Sequence, residues 1–232
     1  PVAKVGETTY ATLADALAAA TEGATVTLLN NTEESIAAIE NVKLATAVVG
    51  GVTVKNTYGD WINMTNVAIG AGVTLDMKNV YYTNAGVNVI EGTLNATTLY
   101  NANNSKTTVQ NGGKIATTGM IVNRYHTAAD AGIYVYGDGD ASTVEVKCDD
   151  TIGTYSGTFY AKDAVVNGNM LWIDYLKGSI QEADKYSQSK PVFDNSTVNI
   201  TKELRLYKDA TLTLVNSDVT AGTVQIRENA TP

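Results

Sequence analysis

The hydrophobic positions of the chain follow two patterns that meet near residue 23. In the first, Leu13, Ala16, Leu17 and Ala20 recur at the i, i+3, i+4, i+7 spacing of an amphipathic helix. Thr12 can cap the first turn, with Asp15 three residues later, and Gly23 is placed to stop the helix, so the spacing predicts a helix over 12–20. So short a helix is marginal alone, and it runs directly into the strand-like ATVTLL. Its apolar stripe must rest on whatever that strand begins, which makes it a lid.

Beyond the lid the alternation has a period of two and repeats. Val52, Val73, Leu94 and Ile115 each stand one or two residues after a glycine and 21 residues from the next. A second set, Val67 with Ile69, Val87 with Val89 and Thr107 with Val109, recurs every 20 residues. Short Val, Ile, Leu and Thr strands with Gly or Asn at the corners and a steady period predict an all-β solenoid, a right-handed parallel β-helix. A β-sandwich also gives regular turn signals, but it is built on hairpins and has no reason for a constant repeat. Val52, Val73, Leu94 and Ile115 are expected to form one inward stack, with the helix covering the N-terminal coil.

The whole chain reads as a single domain. An N-terminal cap over 1–23 leads into regular coils over 24–121. From 122 to 192 the stretches VNRYHTAADAGIYVYGDGD and SIQEADKYSQSKP are too polar or irregular for ordinary coils and read as corner insertions. Strand signals return over 193–232, through Val198, Leu204, Leu206, Leu212, Leu214, Val219, Val224 and Ile226. About nine coils at about 4.8 Å each make a rod of about 45 Å. No lid-like helix follows Ile226, and the start PVAKVGETTY has neither a methionine nor a signal-peptide pattern. The last coil is therefore expected to be partly exposed, and the natural chain to continue beyond it.

Composition narrows the function. Sixteen Lys and Arg against 24 Asp and Glu leave a net charge of −8, and nothing gathers positive charge as a nucleic-acid surface would. The single cysteine, Cys148, excludes an internal disulfide and a cysteine-based metal cluster. No apolar run approaches the roughly 20 residues that span a bilayer, so membrane insertion is not expected. Charged residues are only 17% of the chain, and Asn, Thr and Gly fill the polar positions, as in β-rich extracellular proteins.

The opening VGETTYATLADALAAATEGATVTLL, with Tyr10, Leu13, the alanine-rich helix and Gly23, resembles the start of right-handed parallel β-helix segments, pectate-lyase-like in fold, from large surface proteins of Gram-positive gut bacteria. The likeness is specific over about the first 29 residues and is one of repeat style beyond them. It implies a helix capping the first coil, an extracellular cell-surface location and an adhesive or binding role. It names no ligand, and the same solenoid hosts lyases, hydrolases and inert stalks.

Enzymes of that fold set carboxylates along one strand face, with Ca²⁺ or a nearby His and basic residue. The candidates for such chemistry are few. Asp149 and Asp150 are adjacent but fit a solvated turn, His126 stands beside Arg124 and Tyr125, and the NTD, GDD and RIK signatures of the hydrolases are absent. The string Gly137, Asp138, Gly139, Asp140 fits a tight turn better than a Ca²⁺ loop. No catalytic residue, metal or cofactor is assigned.

The informative anomaly is aromatic. Thirteen Tyr and two Trp stand against two Phe, whereas an interior built for packing would favour Phe, because a buried tyrosine hydroxyl needs a partner. Tyrosine points to a wet recognition surface. Insertions escape the packing constraint of the coils, so the expected ligand-binding residues are Tyr125, Tyr134, Tyr136, Tyr155 and Tyr160, with Trp61 outlying. The function expected is a non-catalytic, monomeric adhesin module binding a host glycan or host protein. A structural stalk and a carbohydrate-active enzyme are the alternatives.

Overall fold

Successive strands stack in parallel along three faces, so that each coil contributes one strand to each of three sheets. The computed structural model describes residues 1–139, 143–174, 185–207 and 210–227. The first sheet runs through Ala24–Leu28, residues 42–46, residues 67–69, Val87–Ile90, Lys106–Gln110, Gly132–Tyr136, Thr158–Lys162, Val192–Asp194 and Thr213–Val215. Its inward column is Val26, Leu44, Ile69, Ile90, Val109, Val135, Ala161, Phe193 and Leu214, each paired with the next. The second sheet stacks Val54, Leu75, Leu94, Ile115, Val146, Val166, Val198 and Val219. The third stacks Ile62, Val80, Leu99, Ile121, Ile152, Leu171, Leu204 and Val224. This is an all-β parallel β-helix, and its core is the axis along which the three columns meet.

The helix α1 (Leu13–Ala19) forms where the pattern places it. The Thr12 hydroxyl accepts from the Asp15 N–H at 3.0 Å, and Leu13 and Ala16 are buried with Leu17 and Ala20 packed beside them. A second anchor comes from the next coil: the Glu34 carboxylate accepts from the N–H groups of Leu13 and Ala14 at 2.7 and 2.9 Å, where the helix dipole favours negative charge. The helix does not cover the first coil alone. Ala3–Val5 pairs antiparallel with both Thr8–Tyr10 and Ala24–Leu28, and so occupies the backbone edge of the first strand. At the other end, Leu214, Val224 and Ile226 continue inward columns yet are exposed, Ile226 by 82%. The partly exposed last coil is thus observed over the described residues.

Two register expectations are corrected. Val52, Val73, Leu94 and Ile115 all face inward on one sheet, but in two columns: Val52 pairs with Val73, whereas Leu94 pairs with Leu75 and Ile115. The coil between Val73 and Leu94 is two residues short of the assumed repeat. Gly92 comes level with Val73, where a Cβ would collide with the carbonyl oxygens of Val73 and Gly70. In the same coil Val87 and Val89 turn outward, Val87 by 61%, and Asn88 and Ile90 turn in. Either phase of VNVI buries apolar side chains, Val87 and Val89 in one and Ile90 in the other, and the choice is decided elsewhere: the Asn88 side chain accepts from the Val67 N–H at 3.2 Å and donates to Thr107 Oγ1 at 3.4 Å.

This phase is open to test. Ile90→Ala should cost about 2–5 kcal/mol in urea denaturation, while Val89→Thr should stay within about 0.5 kcal/mol. The reverse order would put the register of that coil out by one.

Candidate binding face

The outer side of the third sheet carries an aromatic and arginine stripe along the rod. Register pairing sets Tyr81, Tyr100, Val122, Gly153, Trp172 and Arg205 on successive coils of one outward column. Trp61, two residues from Asn63 at the head of that column, lies against it: its ring centroid is 4.6 Å from Tyr100 and 6.1 Å from Tyr81. The Arg124 guanidinium lies over Tyr100 at 4.3 Å and over Tyr125 at 4.5 Å, and Tyr125 meets Tyr186 at 5.2 Å. Farther on, Arg205 covers Trp172 at 4.4 Å. Rings on neighbouring strands of a parallel sheet come within stacking range because the strand spacing is itself close to a stacking distance.

Tyr155 links the two halves. Its ring occupies the space that a side chain at Gly153 would fill, and it packs with Val122, Tyr100, Tyr125 and Trp172. It is only 6% exposed, so it is the floor of the stripe. Trp61, at 36%, is the stripe's most accessible ring. Tyr125 has φ +60°, a left-handed backbone that bulky residues rarely adopt.

A polar interior holds Tyr125 in place. Beneath the stripe the inward column that starts with Met64 and Tyr82 passes to Asn101, Asn123 and Thr154, all buried. Asn101 donates to Asn123 Oδ1 at 3.0 Å, and Asn123 donates to the Ser156 and Thr158 carbonyls at 3.2 and 3.0 Å. His126, wholly buried, accepts from the Asn104 N–H through Nδ1 at 3.0 Å, which leaves the ring proton on Nε2 to meet Asn123 Oδ1 at 2.8 Å. Its backbone N–H donates to Ser156 Oγ, and its carbonyl accepts from the Ser187 N–H. Every polar edge of the ring is therefore used by the neutral form, and burial pulls its pKa down from 6.5 to about 4.

The six expected binding residues thus divide between two faces. Trp61, Tyr125 and Tyr155 belong to the stripe. Tyr134, Tyr136 and Tyr160 lie together on the outer side of the first sheet, with centroids 5.9 Å apart for Tyr134 and Tyr136 and 5.7 Å for Tyr136 and Tyr160. Lys106 stands over Tyr134 at 4.7 Å, the Tyr134 hydroxyl donates to the Asp130 carbonyl at 2.6 Å, and Tyr160 donates to Asp194 at 3.3 Å. Tyr81, Tyr100 and Trp172, which complete the stripe, are not among the residues expected from the sequence. Their stacking distance in sequence, 19 between Tyr81 and Tyr100, was the available signal. Tyr82 departs from the expectation that tyrosine lies on the surface, since it is fully buried in the inward column beneath the stripe and its phenol pKa is pushed up by that burial. Asp140 lies outside the described residues.

The residues weighed for catalysis do not converge. Asp149 and Asp150 stand at the corner before the third sheet, Asp149 3.7 Å from Lys147 and Asp150 accepting from the Thr151 hydroxyl at 3.1 Å. His126 lies at the opposite edge of that sheet, inside the rod. Asp138 accepts from the Thr143 hydroxyl at 2.9 Å. Burial raises the pKa of the Cys148 thiol, which keeps it protonated and unreactive. Among the described residues no group of three or more His, Cys, Asp or Glu side chains could hold a metal ion, and no helix is long and apolar enough to cross a membrane.

Fold and face together define a parallel β-helix with an aromatic and arginine stripe along one sheet. No family model, curated protein or solved structure matches the chain.

The His126 site carries a pH prediction. The folded state keeps the ring neutral down to about 4 while the unfolded chain protonates it near 6.5. Stability is therefore complete above pH 6.5, falls between 6.5 and 4, and loses roughly 3 kcal/mol in all from this group. Urea denaturation at pH 7 and pH 4.5 should show the fall in the parent chain, and His126→Gln, less stable at pH 7, should lose its share of it. An unchanged pH slope in the variant would place the titration elsewhere.

Proposed function

We propose that this chain is a non-catalytic binding module of an extracellular, cell-surface solenoid, and that it recognises a glycan laid along the third sheet. The observation that carries the reading is the stripe from Trp61 to Trp172, in which Trp61, Tyr81 and Tyr100 cluster at one end, Trp172 lies farther along the rod, and Tyr155 packs between the two groups. Extended sugar chains offer the matching surface, a succession of flat apolar ring faces edged by hydroxyls. Rigid Tyr and Trp platforms bind at small cost in side-chain entropy. The resemblance of the first 29 residues to surface proteins of Gram-positive gut bacteria supports the location and the adhesive role, with a host glycan as the ligand class. The pectate-lyase-like ancestry implied by that resemblance is part of the same proposal.

A protein ligand is the second reading, and the compact Tyr134, Tyr136 and Tyr160 patch on the first sheet favours it. The patch is short, mixed with Lys106, Lys162 and Asp194, and resembles a recognition hot spot more than a track.

The two faces can be separated on a glycan array and a host-protein pulldown. Trp61→Ala and Tyr100→Ala should each cost about 2 kcal/mol of glycan affinity, roughly thirtyfold in Kd, with little change in melting temperature for Trp61→Ala. The triple variant Tyr134→Ala, Tyr136→Ala, Tyr160→Ala should keep glycan binding. Loss in the triple variant and retention in Trp61→Ala would move the site to the first sheet.

A further inference from the structure

The stripe holds two arginines in the same setting and in opposite states. Arg205 lies over the Trp172 ring, and its charge is met: Nε contacts the Glu203 carboxylate and Nη1 donates to the Tyr207 hydroxyl at 3.3 Å. Arg124 lies over both the Tyr100 and the Tyr125 ring, at 4.3 and 4.5 Å. Among the described residues no carboxylate, carbonyl or hydroxyl accepts from it, and its Nε is buried without a partner.

Cation–π contacts leave the in-plane donors of a guanidinium unused. Those donors form a planar fork that matches a two-oxygen anion, and a half-buried charge lacking such an acceptor is an unfavourable arrangement that a ligand can relieve. The rings already fix the side chain, so little rotamer freedom remains to be lost on binding. The strained backbone at Tyr125, held by the buried Asn123 and His126 bonds, sets the second ring of the clamp.

Resting on the glycan reading above, we propose that Arg124 is the anion-recognising centre of the stripe, so that the glycan taken here carries a carboxylate or sulfate substituent. The anionic oxygens meet the two Nη groups of the guanidinium, on the side away from the buried Nε, while a neighbouring sugar face lies against Trp61. Arg205, already neutralised by Glu203, contributes a flat platform over Trp172 and no anion selectivity.

The test uses polymers of one backbone that differ only in substituent: dextran, carboxymethyl dextran and dextran sulfate, with hydroxyethyl, carboxymethyl and sulfated cellulose as a second linkage geometry. Titration calorimetry should show the parent chain binding at least one anionic form tenfold or more tighter than its neutral counterpart, and the stronger of the two anionic arms identifies carboxylate or sulfate. Arg124→Gln should bring that form down to the neutral level, and Arg124→Met, which keeps an apolar stem against the rings, should do the same with an intact melting transition. Arg205→Gln should leave the ratio unchanged. Equal binding of neutral and anionic forms, weakened alike by Trp61→Ala, would overturn the anion assignment and leave the glycan reading standing. Binding of poly-glutamate as tight as that of the anionic glycans would overturn the glycan occupant in favour of an acidic protein segment. Binding of none of these polymers would overturn both.

Discussion

The whole structure depends on the parallel ladder that fixes each strand directly above the strand one coil earlier. Once that ladder holds, each coil must place a side chain of suitable size over the one below it, at the spacing of neighbouring strands. The three apolar columns follow from this constraint, as does the tolerance of the fold for coils of unequal length, since residues can be gained or lost at corners as long as the strands return to register. The corners explain much of the asparagine content. Asn41, Asn66, Asn103, Asn104, Asn111, Asn195 and Asn216 all have a left-handed backbone, a conformation that asparagine adopts more readily than most residues. Their side chains also bond along the rod, as Asn66 does in donating to Asn41 Oδ1 at 2.9 Å and accepting from the Val87 N–H at 2.9 Å.

The same constraint makes the polar interior under the stripe costly and therefore informative. Asn88, Asn101, Thr107, Asn123, His126 and Ser156 are buried where apolar side chains would stack without bonding requirements. Each has partners within the network, so the burial is tolerated. What the network secures is the irregular backbone around Tyr125 and the segment at Ser187 that donates to the His126 carbonyl. Apolar columns could not anchor such loops, because loops carry backbone N–H and C=O groups that need partners. The binding face is thus supported from beneath by directional bonds and from the sides by stacked rings. This division suits a recognition surface on an otherwise repetitive rod.

How the ends are treated follows from the ladder as well. At the N-terminus the open backbone edge of Ala24–Leu28 is paired by Ala3–Val5, and the open end of the core is closed by Leu13 and Ala16 of α1. Glu34 ties the helix to the next coil through two charge-assisted bonds to its first N–H groups. At residues 213–227 the inward columns end on exposed Leu214, Val224 and Ile226. Only the first end of the described rod carries a cap.

The sequence by itself determined the fold class, the helical cap with its Thr12 and Asp15 signal, and the inward face of most strands. These are local or strictly periodic properties: a helix reports itself through a 3.6-residue stripe, and a stacked coil through recurring apolar alternation. It also pointed to tyrosine as the unusual residue. Tertiary structure alone decided which aromatics meet. Tyr81, Tyr100 and Trp172 join Trp61 because strands of unequal coils come level, whereas Tyr134, Tyr136 and Tyr160, neighbours of Tyr125 in sequence, turn onto another sheet. The phase of Val87–Ile90 was likewise undecidable locally, since both phases bury apolar residues, and a hydrogen bond from Val67 in the coil below settled it. Whether Arg124 has a partner could be seen only once the strands were stacked. A charge is paired or left open by neighbours one coil away in space and about 20 residues away in sequence, a separation at which small differences in corner length decide every contact.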